Sequence, residues 1–239
     1  GVVGVVLSSR SGRVGGRAVD EDRSVVTRVA ACDIGDAADA LALMALEAPT
    51  GVLHAAGVLH DKMLRSMATD GMHAVFAPKA LAAWHVQAIV VRTPFEAFGL
   101  FSSVASTFGS VGQASYAAAN AYLDALSRSR RWRAFLGSSL QIPAVSGAGM
   151  GAATFDREQL DAIGAISLDE FAAFLSTSLS AAGPAAERTL APLARALLEG
   201  TAMPAVSELS HEKKKCTVTV ATGVAVAASG SALTRSLAD

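Results

Sequence analysis

The chain has 239 residues, 51% hydrophobic and 17% charged, with a formal net charge of −1, which is enough length and apolar content for a full core in a soluble globular domain. So even a charge balance supplies no general attraction to nucleic acid or anionic lipid, both of which call for a basic surplus or stripe. Cys32 and Cys216 lie far apart and form no CxxC pattern, so neither a disulfide framework nor a zinc site is indicated, and a reducing, cytoplasmic setting is expected.

Residues 2–8 make a short β-branched strand ending in the turn Ser8-Ser9-Arg10-Ser11-Gly12. A strand followed by a serine and arginine turn is where a dinucleotide-binding sheet meets the adenosine ribose, and Arg10 there can pair with a 2′-phosphate. Residues 25–32 form the next strand, closed by Asp33, a residue suited to an adenine contact or to a turn or cap. A helix over 36–47 follows, with Leu41, Met44 and Ala45 on its buried face and Pro49 beyond its end. Residues 51–55 make a central strand running into Ala56-Gly57, where small residues let the backbone lie close to a ligand. His54 reads as a strand histidine packed beside the sheet.

The segment 69–87 is helical but holds Pro78, which removes a backbone donor and predicts a bend just before Lys79. Residues 97–102 form a buried strand that stops at Ser102-Ser103, delivering a hydroxyl to the edge of a parallel sheet. After a loop with Gly109 and Gly112, a helix over 113–133 places Tyr116 and Asn120 four apart on one face. A phenol donates a proton to a carbonyl oxygen near neutral pH only if positive charge draws its pKa down, and Lys79 is the candidate cation.

Arg128, Arg130, Arg131 and Arg133 crowd that helix's end, reading as a solvated basic terminus or as a docking patch for an acidic domain. A strand over 138–142 precedes a glycine-rich turn at 147–151, and helices follow over 154–160 and 167–179, the second opened by a Ser167–Glu170 capping box. Residues 189–198 have helical composition. From Thr201 the chain turns to Ser, Pro, Lys and Ala and reads as an interdomain linker. The weakly polar run at 218–228 is broken by Thr219, Thr222 and Gly223 and is too short to span a membrane. No signal peptide is read at the start.

The blocks HAAGVLHD (54–61), APKALAAW (77–84) and FSSVAS through GQASYAAANAYLDAL (101–126) resemble the ketoreductase domain of modular polyketide synthases and type I fatty acid synthases, a branch of the short-chain dehydrogenases. Tyr116 follows Ser103 by thirteen residues and Lys79 by thirty-seven, and Asn120 stands where ordinary short-chain dehydrogenases carry their lysine, an exchange typical of the synthase enzymes. The resemblance implies a doubly wound α/β Rossmann fold and an oxidoreductase that reduces a β-ketoacyl thioester with NADPH. The thioester would hang on the phosphopantetheine arm of an acyl carrier protein, with neighbouring synthase domains as further partners.

The resemblance further implies Tyr116 as general acid, Ser103 as carbonyl donor, Lys79 as cation and ribose contact, and Asn120 as relay support. Ser9, Arg10, Asp33, Ala55, Ala56 and Gly57 would join Lys79 and Tyr116 at the cofactor, and no metal is implied. Leu59-His60-Asp61 is similar to the Leu-Asp-Asp signature of B-type domains, and Phe108 stands where A-type domains carry tryptophan. Asp61, Phe108 and Met150 are thus assigned to the substrate side and to stereocontrol. Measured against the family, the first strand and its GxGxxG turn are missing ahead of residue 1, which leaves a catalytic domain over 1–200, incomplete at its N-terminus, and a linker over 201–239. Two other readings stay open: a stand-alone short-chain dehydrogenase, and a non-catalytic remnant kept as a scaffold.

Overall fold

The computed structural model describes residues 4–13, 26–91, 95–180 and 187–189; the expected helix at 189–198, the linker at 201–239 and Cys216 lie outside or almost wholly outside them. All described strand pairs are parallel. β1 (Gly4–Ser9) pairs with β2 (Val26–Ala31), while β3 (Gly51–His54), β4 (Ala97–Ser103), β5 (Ser138–Ile142) and β6 (Glu187–Thr189) form a four-stranded sheet in that order. Parallel neighbours need crossovers, and from β3 to β6 helices supply them, as expected for a Rossmann-like α/β fold.

Helix α1 (Ala37–Glu47) starts where the Asp36 carboxylate accepts from the amides of Ala38 and Asp39, and it ends at Ala48 in the left-handed region. The long segment after β3 is three pieces: α2 (Thr69–Phe76), a π-helical turn over Ala77–Leu81, and α3 (Ala82–Val90). Pro78 sits at the start of that wide turn, so the predicted bend takes the form of a π-bulge, with Lys79 inside it. A short α4 (Ala105–Phe108) follows β4, then the nineteen-residue α5 (Ala114–Trp132).

On one face of β4, Phe98 and Leu100 pack with Ala83, Val86 and Val90 of α3 and with Leu123 and Leu126 of α5. Leu100 and Leu123 are fully buried, each contributing about 1.5–3 kcal/mol of transfer free energy. The alternating residue Phe101 meets Phe171 of α8 (Leu168–Ser180) edge-on, ring centres 6.1 Å apart, so helices cover both faces of the sheet. The core thus clamps the C-terminal end of β4 and the first half of α5 together, which is what fixes the site.

Three readings need correction. Arg130 does not belong to a solvated basic end: it is buried, its guanidinium donates to Gln87 Oε1 and, at 2.6 Å, to the Leu136 carbonyl, and its plane lies 3.8 Å from the Phe98 ring centre. Burial draws it down to about 10, and stacking on an aromatic face offsets part of the desolvation. The glycine-rich turn at 147–151 partly winds into α6 (Gly149–Thr154). The helix expected at 154–160 begins later, as α7 (Arg157–Ala162), because Asp156 and Gln159 form a reciprocal capping box there.

Candidate active site

Parallel sheets gather their strand ends at one edge, and the sequence supplies polar or small residues there: Ser9 after β1, Asp33 after β2, Ala55 to Gly57 after β3, and Ser103 closing β4. Ser103 is buried, and its Oγ accepts from the Ala105 amide at 3.2 Å, so its own O–H remains available to donate. Tyr116 and Asn120 lie on the first two turns of α5, over the end of β4. Asn120 is fully buried; its Nδ2 donates to the Tyr116 carbonyl at 2.9 Å, and its Oδ1 has no hydrogen-bond partner.

Lys79 reaches the same place from the π-helical turn. Its ammonium donates to the Phe101 carbonyl at 2.9 Å and lies 5.5 Å from the Tyr116 ring centre. With only 2% of its surface exposed, it is drawn down to about 8 by desolvation, against which Asp124 pulls upward. The turn is pinned from below by His54, whose Nε2 lies 2.9 Å from the Lys79 carbonyl and whose burial holds it down at about 4, a neutral imidazole packed beside the sheet.

The expectation of a lowered tyrosine pKa is not met in the ligand-free site. Burial raises the Tyr116 phenol above its ordinary value; the side chains of Asn120 and Ser103 oppose that rise, and Asp61 adds to it. Tyr116 therefore rests protonated at neutral pH, the state a proton donor has to be in. The four candidate residues Ser103, Tyr116, Lys79 and Asn120 are brought together.

Asp61 and Phe108, expected on the substrate side, stand beside two loops tied to each other. Gln113 Nε2 donates to Asp61 Oδ2 at 2.9 Å, and the Lys62 amide donates to the Gly112 carbonyl at 2.8 Å. Gly109 and Gly112 have φ of 75° and 77°, which the turn into α5 requires and which favours glycine. Phe108 closes α4 beside this loop, and Met150 reaches the site from α6: its methyl would lie 3.8 Å from a Cβ built on Gly57.

On the cofactor side, that same Cβ would stand 3.4 Å from Lys79 Nζ, so the bare backbone at 57 preserves space beside the ammonium. Together with the hydroxyl, phenol and ammonium at the strand ends, this cradle fits the nicotinamide-ribose half of a dinucleotide. Arg10 is exposed at the end of β1. Asp33 caps the turn to α1 by accepting from the Gly35 amide at 3.0 Å, the turn role the sequence offered as one of its two. Among the described residues, no three His, Cys, Asp or Glu side chains converge to hold a metal ion.

One important residue was passed over in the sequence. Asp124 is buried one further turn along α5, accepting from Ser106 Oγ at 2.6 Å, from Gln141 Nε2 at 3.0 Å and from Ser139 Oγ. Its carboxylate sustains the charge on Lys79. The spacing Tyr116, Asn120, Asp124, four residues apart each time, could have revealed it.

The KR domain family matches residues 1–147. Among curated relatives, the spectinabilin polyketide synthase system protein NorB of Streptomyces orinoci is 43% identical over 140 residues, 57% of this chain and 6% of that one. The mycoketide-CoA synthase of Mycobacterium tuberculosis is 39% identical over 151 residues, 59% of this chain and 4% of that one. Among solved structures, the first ketoreductase of the tylosin polyketide synthase superposes with a TM-score of 0.70 at 30% identity, over 86% of this chain and 49% of that one. An A-type ketoreductase of a modular polyketide synthase gives 0.68 at 31%, over 87% and 46%. The chain thus spans about half of those solved chains and a small part of the curated synthases, and it belongs to the KR domain family, the ketoreductase domains of polyketide synthases within the short-chain dehydrogenase/reductase superfamily.

Proposed function

We propose that this domain reduces the β-keto group of a β-ketoacyl thioester, carried on an acyl carrier protein, to the β-hydroxyl with NADPH, as one step of polyketide or fatty acid assembly. The convergence of Ser103, Tyr116, Lys79 and Asn120 at the end of β4 carries this reading. NADPH, when bound, supplies the hydride to the carbonyl carbon. The Ser103 hydroxyl donates to the carbonyl oxygen and fixes its direction, and Tyr116 delivers its proton to that oxygen as the alkoxide develops. The Lys79 ammonium, anchored by the Phe101 carbonyl, provides the positive charge that favours the resulting phenolate, and Asn120 holds the helix turn that carries Tyr116. Arg10 would pair with the 2′-phosphate and favour NADPH over NADH.

The catalytic region extends to about residue 200. B-type stereochemistry is proposed from Asp61, held by Gln113 at the loop, and from Phe108 across the entrance. Whichever side of the entrance is lined decides how the pantetheine arm enters, and so which face of the ketone meets the nicotinamide. The test offers the protein a β-ketoacyl thioester and a matched free ketone with NADPH, then resolves the alcohol by chiral chromatography. Faster turnover of the thioester to the D-configured alcohol is expected. Predominantly L alcohol would overturn the B-type assignment, and equal turnover of the free ketone would favour a stand-alone dehydrogenase.

A further inference from the structure

Ser103, the proposed carbonyl donor, is itself oriented by one contact: the Ala105 amide donates to its Oγ and so leaves the hydroxyl's own hydrogen to point elsewhere. The Ser103 backbone has little freedom. It lies opposite Ile142 in the ladder, and the Val104 amide extends that ladder by donating to the Ile142 carbonyl at 3.2 Å. What remains adjustable is α4, which carries the Ala105 amide. It is a single turn of four residues whose start no side chain caps, and one turn does not hold itself in water.

Support comes from the neighbouring strand. Gln141, buried near the end of β5, meets three oxygens: Thr107 Oγ1 at 2.9 Å, Asp124 Oδ2 at 3.0 Å and Ser106 Oγ at 3.2 Å. A carboxylate only accepts, so the amide nitrogen of Gln141 is what points here, and its two hydrogens are shared among the three. Ser106 Oγ in turn lies 2.6 Å from Asp124 Oδ2 and 2.8 Å from the Ser103 carbonyl, both acceptors for its one hydrogen. Two successive residues of α4, Ser106 and Thr107, are thereby tied to β5 and to α5, the helix that carries Tyr116. A buried polar cluster satisfied in one arrangement specifies that arrangement.

We propose that Gln141 and Ser106 are positioning residues: they seat α4 so that the Ala105 amide holds the Ser103 hydroxyl toward the substrate carbonyl, at a fixed place relative to Tyr116. The inference rests on the proposed reduction and adds to it two residues that act through Ser103 and not on the substrate. Asp124 is the shared anchor. The carboxylate that sustains the charge on Lys79 also takes the hydrogen bonds that set the hydroxyl, so the two proton-handling groups are referred to one point.

The test places Gln141→Met in the full chain, a change that keeps length and burial and removes the donor. With a β-ketoacyl thioester, kcat should fall at least about tenfold while the KM for NADPH stays within about twofold, since a small misplacement of a reacting group is costly in rate. On a Ser103→Ala background the same change should cost less than about twofold, because no hydroxyl is left to orient. Without substrate, the amides of Ala105 and Gly109 should exchange hydrogen at least about tenfold faster in Gln141→Met. Ser106→Ala keeps the helix propensity of α4 and should lower kcat in the same Ser103-dependent way, and it carries the test if the Gln141 variant fails to fold. Equal losses with and without Ser103 would mean that the cluster only supports the fold, and an unchanged kcat would remove both residues from positioning. Either result overturns the proposal. No thioester reduction by the unsubstituted chain would overturn the proposed reaction and this inference with it, while the exchange rates would still show whether Gln141 seats α4.

Discussion

Lys79→Met should make the protein more stable at neutral pH while removing its activity. Lys79 is almost wholly buried and its ammonium is held at about 8 against an ordinary 10.5, so keeping it charged inside the fold costs about 3 kcal/mol at pH 7. Methionine keeps most of the volume and removes the charge. Against that gain, the Phe101 carbonyl loses its donor, a loss of about 1–3 kcal/mol if nothing replaces it. The net expectation is a stabilisation of roughly 1 kcal/mol, or a rise in Tm of about 2–4 °C for a domain of this size. The pH dependence is the sharper signature. Between about pH 8 and 10.5 the unfolded lysine still binds a proton that the folded one has released, so the unsubstituted protein gains stability as pH rises and the variant does not. The advantage of Lys79→Met should therefore be full below pH 8, vanish near pH 9 and give way to a deficit of about 2 kcal/mol by pH 10.5, where the folded lysine is neutral and only the lost donor to Phe101 remains. Urea unfolding of both proteins at pH 7 and pH 10 measures it. A variant less stable at pH 7, with a difference that does not change with pH, would refute the claim that a costly buried ammonium is kept at this position.

Arg10→Ala should reduce the preference for NADPH over NADH, read as the ratio of kcat/KM for the two cofactors; equal ratios before and after would remove Arg10 from 2′-phosphate recognition. Asp124→Ala should destabilise the fold by about 3–5 kcal/mol, because it strips the shared acceptor from Ser106, Ser139 and Gln141. Asp124→Asn should cost less and move the titration of Lys79 downward, which a pH–rate profile reads directly. An unchanged profile would mean that Asp124 does not sustain the lysine's charge.

Local signals carried most of the fold into view. Hydrophobic runs bounded by serine and glycine marked β4 and β5, and the Ser167–Glu170 box marked the start of α8, where both reciprocal bonds form. Pro78 announced a break in the helix, although only the backbone could show a π-helical turn that swings Lys79 under Tyr116. What stayed hidden depends on contacts between distant residues. Arg130 lies in a run of arginines that looks solvated until Gln87, Phe98 and Leu136 are folded against it. Asp124 looks like an ordinary helix residue until Ser139 and Gln141 of β5 bring their donors to it. The four catalytic candidates were legible because spacing alone places Tyr116 and Asn120 on one helix face, while the position of Lys79 came from the family resemblance and the structure then supplied its distances.

The central claim is that Tyr116 gives the proton to the substrate oxygen, and the most direct test is the turnover of Tyr116→Phe. The phenylalanine ring fills the same space and leaves Lys79 bonded to the Phe101 carbonyl, so NADPH binding should stay within a few-fold of the unsubstituted protein. NADPH-dependent reduction of a β-ketoacyl thioester should fall by at least about 10²-fold, the contribution typical of a positioned general acid. Reduction at the unsubstituted rate, with binding intact, would contradict the account.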